Sequence, residues 1–363
     1  MKKIKVAFVC TKAYPLFNPK CEATFGGSEV QIAFLSKELA KDKNYDVYLL
    51  TGDFGQENKE EYSKVKVHKT YSLKKSVFNY LKAPFKLYFK LKKVNPDVII
   101  QRAHGPETGI CTFYSKLNKK KFIYSIAHDK DVTGLNSKGI FGKIFDYGIK
   151  NADFYIAQSH FQEKKLRKYL NKNINSQVIK SGYKISEKNS KNKKYVLWVG
   201  RYIDWKRPEL YLELAQKIPK EKFLLIMPKG SDLKKWKEIV DKTKKMKNIK
   251  FIEKVPFHKI QTYFDKAKLF INTSVYEGFP NTFIQSCLGQ TPIISLNVNP
   301  DNVLTKNKLG LNSEDNFDKL VNNTKQILEN KELHKKFSKN TLKYAKKEHD
   351  ITKIIEKWKK IIT

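Results

Sequence analysis

Along the first half of the chain, short apolar runs alternate with longer stretches whose apolar positions recur at helical spacing. The runs at 5–10, 46–51, 64–69, 97–101, 122–126, 154–157 and 177–180 read as strands, and 28–41, 78–93 and 160–170 read as helices. After the lysine- and asparagine-rich stretch 186–194 the pattern restarts, with strands at 195–199, 223–227, 249–252, 269–272 and 292–295. A final helix is expected from about residue 314, ending in 351–362 and strongly basic on one side. Strands separated by amphipathic crossover segments predict parallel sheets covered by helices. The fold class is therefore α/β, as two doubly wound domains facing each other. Their boundaries fall at 1–185 and 195–345, with a linker at 186–194 and a last helical segment at 346–363.

Open parallel sheets bind ligands beyond the carboxyl ends of their strands, which singles out polar residues that follow strands. Glu277 follows the run 269–272, and Gly278-Phe279-Pro280 then turns the chain into a helix starting near Asn281-Thr282. A carboxylate, backbone N–H groups and a helix N-terminus converge there, suited to a ligand with hydroxyls and negative charge. Gln285, eight residues after Glu277, sits about one turn into that helix, near enough to share the ligand. Gly200-Arg201 follow the strand 195–199, and Lys206 comes just before Pro208, which opens a helix. Arginine suits bidentate phosphate contact and lysine supplies a point charge, so Arg201 and Lys206 can neutralise a departing diphosphate without a metal.

In the first half, Gly26-Gly27 precede a helix after a long loop from Cys10, and Ser28 with Gln31 fits a capping box. An ordinary capped helix would look similar, but the loop length favours a ligand-holding turn. His128 and His104 follow strands, where a histidine orients a hydroxyl or moves a proton, although isolated histidines are more often structural. Asp129-Lys130-Asp131 spells D-x-D without a third oxygen ligand at metal spacing, so no metal is expected. Along 78–93, Lys82, Lys86, Lys90 and Lys93 form a basic face beside Leu81, Phe85, Tyr88, Phe89 and Leu91, with Pro84 interrupting the first turn. An interfacial helix on an anionic leaflet and a core helix with a solvated lysine face fit this pattern equally.

At 363 residues with 40% hydrophobic composition, the chain can pack two domains. No run of about 18 uncharged apolar residues is present, which excludes a spanning helix. The N-terminal run reads as a strand, because Lys12 and Pro15 follow it without a small-residue cleavage site. Cys10, Cys21, Cys111 and Cys287 show neither CxxC pairing nor a disulfide framework, as in a cytoplasmic protein. Lysine and arginine total 73 against 36 acids, a net charge of +37. A solvated lysine surface, an anionic leaflet, nucleic acid and an acidic polymer all accommodate that charge.

Through Gly26-Gly27, His128, Gly200-Arg201 with Lys206-Arg207-Pro208, and the segment from Glu277 to Gln285, the chain resembles the family 4 glycosyltransferases of the GT-B fold. These are retaining enzymes using nucleotide sugars, and the likeness covers the whole length in organisation. It implies two Rossmann-like domains with the last helix crossing back to the first. It further implies Arg201 and Lys206 on the donor diphosphate, and Glu277 with the backbone of Gly278, Phe279, Pro280 and Asn281 on the transferred sugar. His128 would lie near sugar and acceptor, and the glycine turn near the diphosphate. Gln285 stands where the family has a Glu that contacts the ribose; an amide offers one acceptor oxygen, a loss of about 1 kcal/mol. The expected function is transfer of a hexose, with retention, from a nucleoside diphosphate sugar to a hydroxyl of a lipid-linked glycan. That activity belongs to cell-surface polysaccharide or glycolipid synthesis, by a cytoplasmic protein peripheral on the inner membrane leaflet, with no cofactor. The alternatives are a nucleotide-sugar epimerase of the same fold and a basic nucleic-acid-binding protein, although no nucleic-acid reader motif is present.

Overall fold

Strands that are apolar on both faces need helices above and below them, and the chain builds two such layered units. A computed structural model describes residues 2–74, 76–134, 137–186 and 192–363. One unit comprises Met1–Lys184 with Ile351–Thr363, the other Ile185–Asp350. The interior of the expected linker, 187–191, lies outside the described residues.

In the first unit the strands are β1 (Ile4–Val9), β2 (Tyr45–Asp53), β3 (Lys59–Tyr62), β4 (Val65–Ser72), β5 (Val98–Arg102), β6 (Lys121–Ser125), β7 (Phe154–Ala157) and β8 (Ser176–Val178). They form one sheet in the order β3-β4-β2-β1-β5-β6-β7-β8, parallel except for the β3–β4 hairpin. Its crossover helices are α1 (Gly27–Leu39), α2 (Val77–Val94), α3 (Glu107–Leu117), α4 (Gly139–Lys150) and α5 (His160–Leu170). The second unit carries β9 (Tyr195–Val199), α6 (Pro208–Lys217), β10 (Phe223–Ile226), α7 (Leu233–Lys244), β11 (Ile249–Ile252), α8 (Phe257–Asp265) and β12 (Ala267–Asn272). It continues with α9 (Asn281–Leu288), β13 (Ile293–Ser295), α10 (Val303–Lys306), β14 (Gly310–Asn312), α11 (Phe317–Glu329) and α12 (Lys331–Glu348). Its parallel sheet runs β11-β10-β9-β12-β13-β14.

The chain is thus α/β with two parallel-sheet domains, and the structure differs from the sequence reading in local ways. β3 and β14 were not expected, and α3 and α4 lie in crossover segments for which no helix bounds were expected. The polar strand β3 (Lys-Glu-Glu-Tyr) carries no apolar alternation. α3 and α4 contain glycines that lower helix propensity but let the two helices touch. A Cβ on Gly148 would fall 2.5 Å from the Gly109 backbone nitrogen, and one on Gly109 would fall 2.3 Å from the Ile144 carbonyl oxygen. The single helix expected from residue 314 is three helices, with Asn330 capping α12 through the Leu333 N–H. Pro84 does not interrupt a first turn, because α2 runs through it. Among the described residues, no helix is long and apolar enough to cross a membrane.

The last helix, α13 (Ile351–Ile362), returns to the first unit and completes its core. Ile351, Ile354, Ile355, Trp358, Ile361 and Ile362 recur at helical spacing and are buried in one cluster with Ile32, Leu35, Val6 and Val47. The Tyr183 carbonyl accepts the Ile351 N–H at 3.0 Å, fixing where the helix begins. Replacing Trp358 by alanine is expected to cost the first unit about 3–5 kcal/mol. Urea unfolding checks this, and a loss below about 1 kcal/mol would mean that α13 does not carry that core.

Candidate active site

In the second unit the winding reverses between β9 and β12. From β9 the chain moves outward through β10 and β11, and from β12 it moves the other way through β13 and β14. The loops leaving these two neighbouring strands must therefore meet, and such a reversal leaves a crevice.

After β9 the chain passes Gly200, where a Cβ would come within 2.9 Å of the Trp198 ring and 3.1 Å of Lys206 Cδ. Arg201 follows, exposed, and then a short 3-10 turn at Asp204–Lys206. Arg207 takes a left-handed φ of 47° before Pro208 opens α6. After β12, the Thr273 hydroxyl accepts from Trp198 Nε1 at 2.9 Å and donates to the Lys206 carbonyl at 2.5 Å. Arg207 Nε donates to the Thr273 carbonyl at 2.8 Å, and its terminal nitrogen pairs with Asp315 at 2.6 Å. The Val275 N–H donates to the Trp205 carbonyl at 2.8 Å, and the Trp205 and Tyr276 rings stack with centroids 5.5 Å apart.

These bonds zip the two loops together and bring Lys206 Nζ to 2.7 Å from Glu277 Oε1. Ser274 Oγ donates to the same carboxylate oxygen at 3.0 Å, so the carboxylate is held from two sides. Both Lys206 and Glu277 remain partly open, with side chains 20% and 16% exposed, so a ligand can compete for either. Gly278, Phe279 and Pro280 are buried in the following turn. The Phe279 ring packs on Phe283 and His349, which leaves its backbone rather than its side chain for a ligand. Asn281 and Thr282 open α9, and the Phe283 N–H at its third position donates to the Pro280 carbonyl at 3.0 Å. Gln285 is buried further along α9, and its carbonyl accepts from Gln261 Nε2 at 2.9 Å. Arg201 does not join the Lys206–Glu277 pair.

In the first unit, Gly26 caps α1 and Gly27 is its first residue. The expected Ser28–Gln31 box is corrected here. The cap is Gly26, two residues before Ser28, so Glu29 occupies the returning position and accepts from the Gly26 N–H at 2.9 Å and Ser28 Oγ at 2.8 Å. Gln31 is instead buried, its side-chain oxygen accepting the Gly182 N–H at 2.9 Å. His128 Nδ1 accepts the Lys130 N–H at 3.1 Å, and Asp131 accepts the N–H groups of Ala127 and His128 at 3.1 and 2.9 Å. Burial raises the Asp131 pKa in spite of those two donors. Asp129 accepts from Gln162 Nε2 at 3.0 Å, so both acids of the D-x-D letters serve local structure. His104 is exposed, its ring 4.6 Å from that of Phe145.

Sequence reasoning missed Thr273 and Ser274, the two residues that hold the lysine and the carboxylate in place. Their signal is position, as the first polar residues past the strand 269–272. It also missed Arg102, buried at the end of β5 and donating to Ser125 Oγ at 3.0 Å, where burial lowers its pKa to about 10.

Residues 25–187 match the family model described as Glycosyltransferase Family 4, and residues 181–344 the model described as Glycosyl transferases group 1. The uncharacterized glycosyltransferase MJ1069 of Methanocaldococcus jannaschii is 25% identical, across 93% of this chain and 94% of that protein. Sucrose-phosphate synthase of Thermosynechococcus elongatus shares the fold with a TM-score of 0.79 at 16% identity, covering 99% of this chain and 98% of that one. HepE of Anabaena, solved in complex with UDP and glucose, gives 0.73 at 15% identity over 99% of each chain.

Thr273→Val keeps the shape but leaves the buried Trp198 N–H and the Lys206 carbonyl without their partner. It should cost about 1–3 kcal/mol in urea unfolding of the second unit. A change within 0.5 kcal/mol, on the order expected at an unconstrained surface position, would show that this hydroxyl does not hold the loops.

Proposed function

The chain is a GT-B glycosyltransferase of the family 4 type, and from that premise we propose that it moves a hexose from a nucleoside diphosphate sugar to a hydroxyl of a lipid-linked glycan, with retention. The observation that carries this reading is the Lys206–Glu277 pair, 2.7 Å apart where the loops after β9 and β12 meet. Such a pair is poised to part over a ligand that has phosphate at one end and hydroxyls at the other. The diphosphate takes Lys206, with Arg201 free to swing onto it from the preceding loop, and the sugar hydroxyls take Glu277. The α9 N-terminus adds N–H donors and a favourable dipole beside the same ligand.

In the reaction the bond from the anomeric carbon to the diphosphate oxygen breaks through an oxocarbenium-like state. The acceptor oxygen bonds to the same face as the leaving group departs, and its proton passes to the departing phosphate oxygen. Lys206 and Arg201 stabilise the growing phosphate charge, so no carboxylate acts as a covalent nucleophile and no metal is required. His128 orients the sugar or the acceptor hydroxyl. The net charge of +37 suits a peripheral protein working at an anionic leaflet, in polysaccharide or glycolipid synthesis. HepE, which shares the fold, holds UDP and glucose, which makes UDP-sugars the first donors to try.

Arg201→Ala and Lys206→Ala are each expected to lower turnover of the true donor by about 100-fold, on the scale of losing one charge-stabilising group. Turnover is read as release of nucleoside diphosphate. Unchanged turnover in both variants would overturn these roles.

A further inference from the structure

The first sheet also reverses its winding, between β1 and β5, and a second polar cluster lies there. Thr11 follows β1, Tyr71 lies on β4, and Glu107 opens α3 just after β5. Glu107 Oε1 accepts from Thr11 Oγ1 at 2.9 Å and from the Tyr71 hydroxyl. Burial, reinforced by Glu107, pushes the Tyr71 phenol far above its ordinary pKa, so it remains a donor. These three residues, with Ser72, Lys74 and Asn79, line a pocket of about 230 Å³.

A second cavity adjoins that pocket on its apolar side. Pro84, Ile110 and Ile144 line the pocket and also line this larger groove of about 620 Å³ formed by α2, α3 and α4. The walls of the groove are Phe85, Tyr88, Phe89, Phe113, Ile140 and Tyr147, with Lys143 at the edge. Phe85 and Ile140 are 67% and 71% exposed, unusual for side chains of their size. α2 is thus not a core helix whose outer face is lysine alone. Leu87, Leu91 and Val94 face the core while Phe78, Leu81, Phe85 and Phe89 stand exposed among Lys82 and Lys86.

A pocket that presents Glu107, Tyr71 and Thr11 and shares Pro84, Ile110 and Ile144 with an adjoining apolar groove suits an amphiphile. We propose that these adjoining cavities of the first unit hold the acceptor lipid, its hydroxyl-bearing head on Glu107, Tyr71 and Thr11 and its hydrocarbon chain along the α2–α3–α4 groove. The inference rests on transfer to a lipid-linked hydroxyl and deepens it by naming the acceptor site. The groove volume lies within the range of about 300–1,000 Å³ typical of small-molecule pockets.

The test is isothermal titration of the whole protein with hexyl, octyl and decyl glucoside below their micelle-forming concentrations, beside tetraethylene glycol ethers of the same chains. Glucoside affinity should rise about two- to four-fold per added methylene. In the Phe85→Ser/Ile140→Ser variant, whose exposed positions leave folding intact, that dependence should flatten. Glu107→Gln should keep the dependence while lowering glucoside affinity about ten-fold and leaving the ethers unchanged. Equal affinity for all chain lengths, or a dependence that survives in the double variant, would overturn the groove. Equal effects of Glu107→Gln on glucoside and ether would overturn the head site. Binding of a panel of nucleoside diphosphates on the same samples reads the second unit separately: its absence in the parent protein would count against the donor reading, whereas the glucoside results alone decide whether the first unit holds an amphiphile.

Discussion

A single hydroxyl, that of Thr273, stands between the Trp198 indole N–H and the Lys206 carbonyl and joins two loops that are distant in sequence. Much else in the second unit follows from that join. With the loops zipped, Arg207 reaches the Thr273 carbonyl, Trp205 stacks on Tyr276, and Lys206 meets Glu277. The sheet order is the deeper cause, because neighbouring strands deliver their loops to one place. Adjacent β9 and β12 with opposite winding put a lysine and a carboxylate together without either being buried beyond the reach of a ligand.

The same topological rule acts in the first unit. Reversal between β1 and β5 gathers Thr11 and Glu107, and Tyr71 joins them from β4. Packing then decides what surrounds the cluster. Glycines at 109 and 148 let α3 and α4 approach closely, while α13 fills the opposite side of the core with six apolar side chains. One face of the sheet is sealed by the chain's own last helix. On the other, α2, α3 and α4 leave apolar side chains facing outward.

Strand positions were legible because parallel strands buried on both faces are continuous apolar runs. Those at 154–157, 195–199 and 249–252, and the helix 160–170, coincide with the elements observed. Elements lacking that signature stayed hidden, such as the acidic β3, and the glycine-bearing crossover helices α3 and α4 could not be bounded. The Ser28–Gln31 box failed because the helix begins at Gly27, which moves the returning carboxylate to Glu29. At the site, Lys206 and Glu277 were each readable from their place after a strand. Their bond was not, since residues 71 apart meet only through the β9–β12 pairing. Thr273 and Ser274 went unread for a related reason, as their importance lies in partners that sequence spacing does not reveal. The division of Phe78 and Leu81 from Leu87 and Leu91 on α2 likewise depends on which side β4 and α3 occupy.

The most direct measurement compares affinities for the nucleotide sugar that the protein turns over and for the matching nucleoside diphosphate, in Glu277→Gln and Lys206→Ala. If the pair parts over the donor as proposed, Lys206→Ala weakens both ligands, on the order of ten-fold for a lost charge-assisted contact. Glu277→Gln then weakens the sugar-bearing ligand alone and leaves the diphosphate bound as well as before or more tightly. Equal weakening of both ligands by Glu277→Gln, or no effect of either substitution, would contradict it.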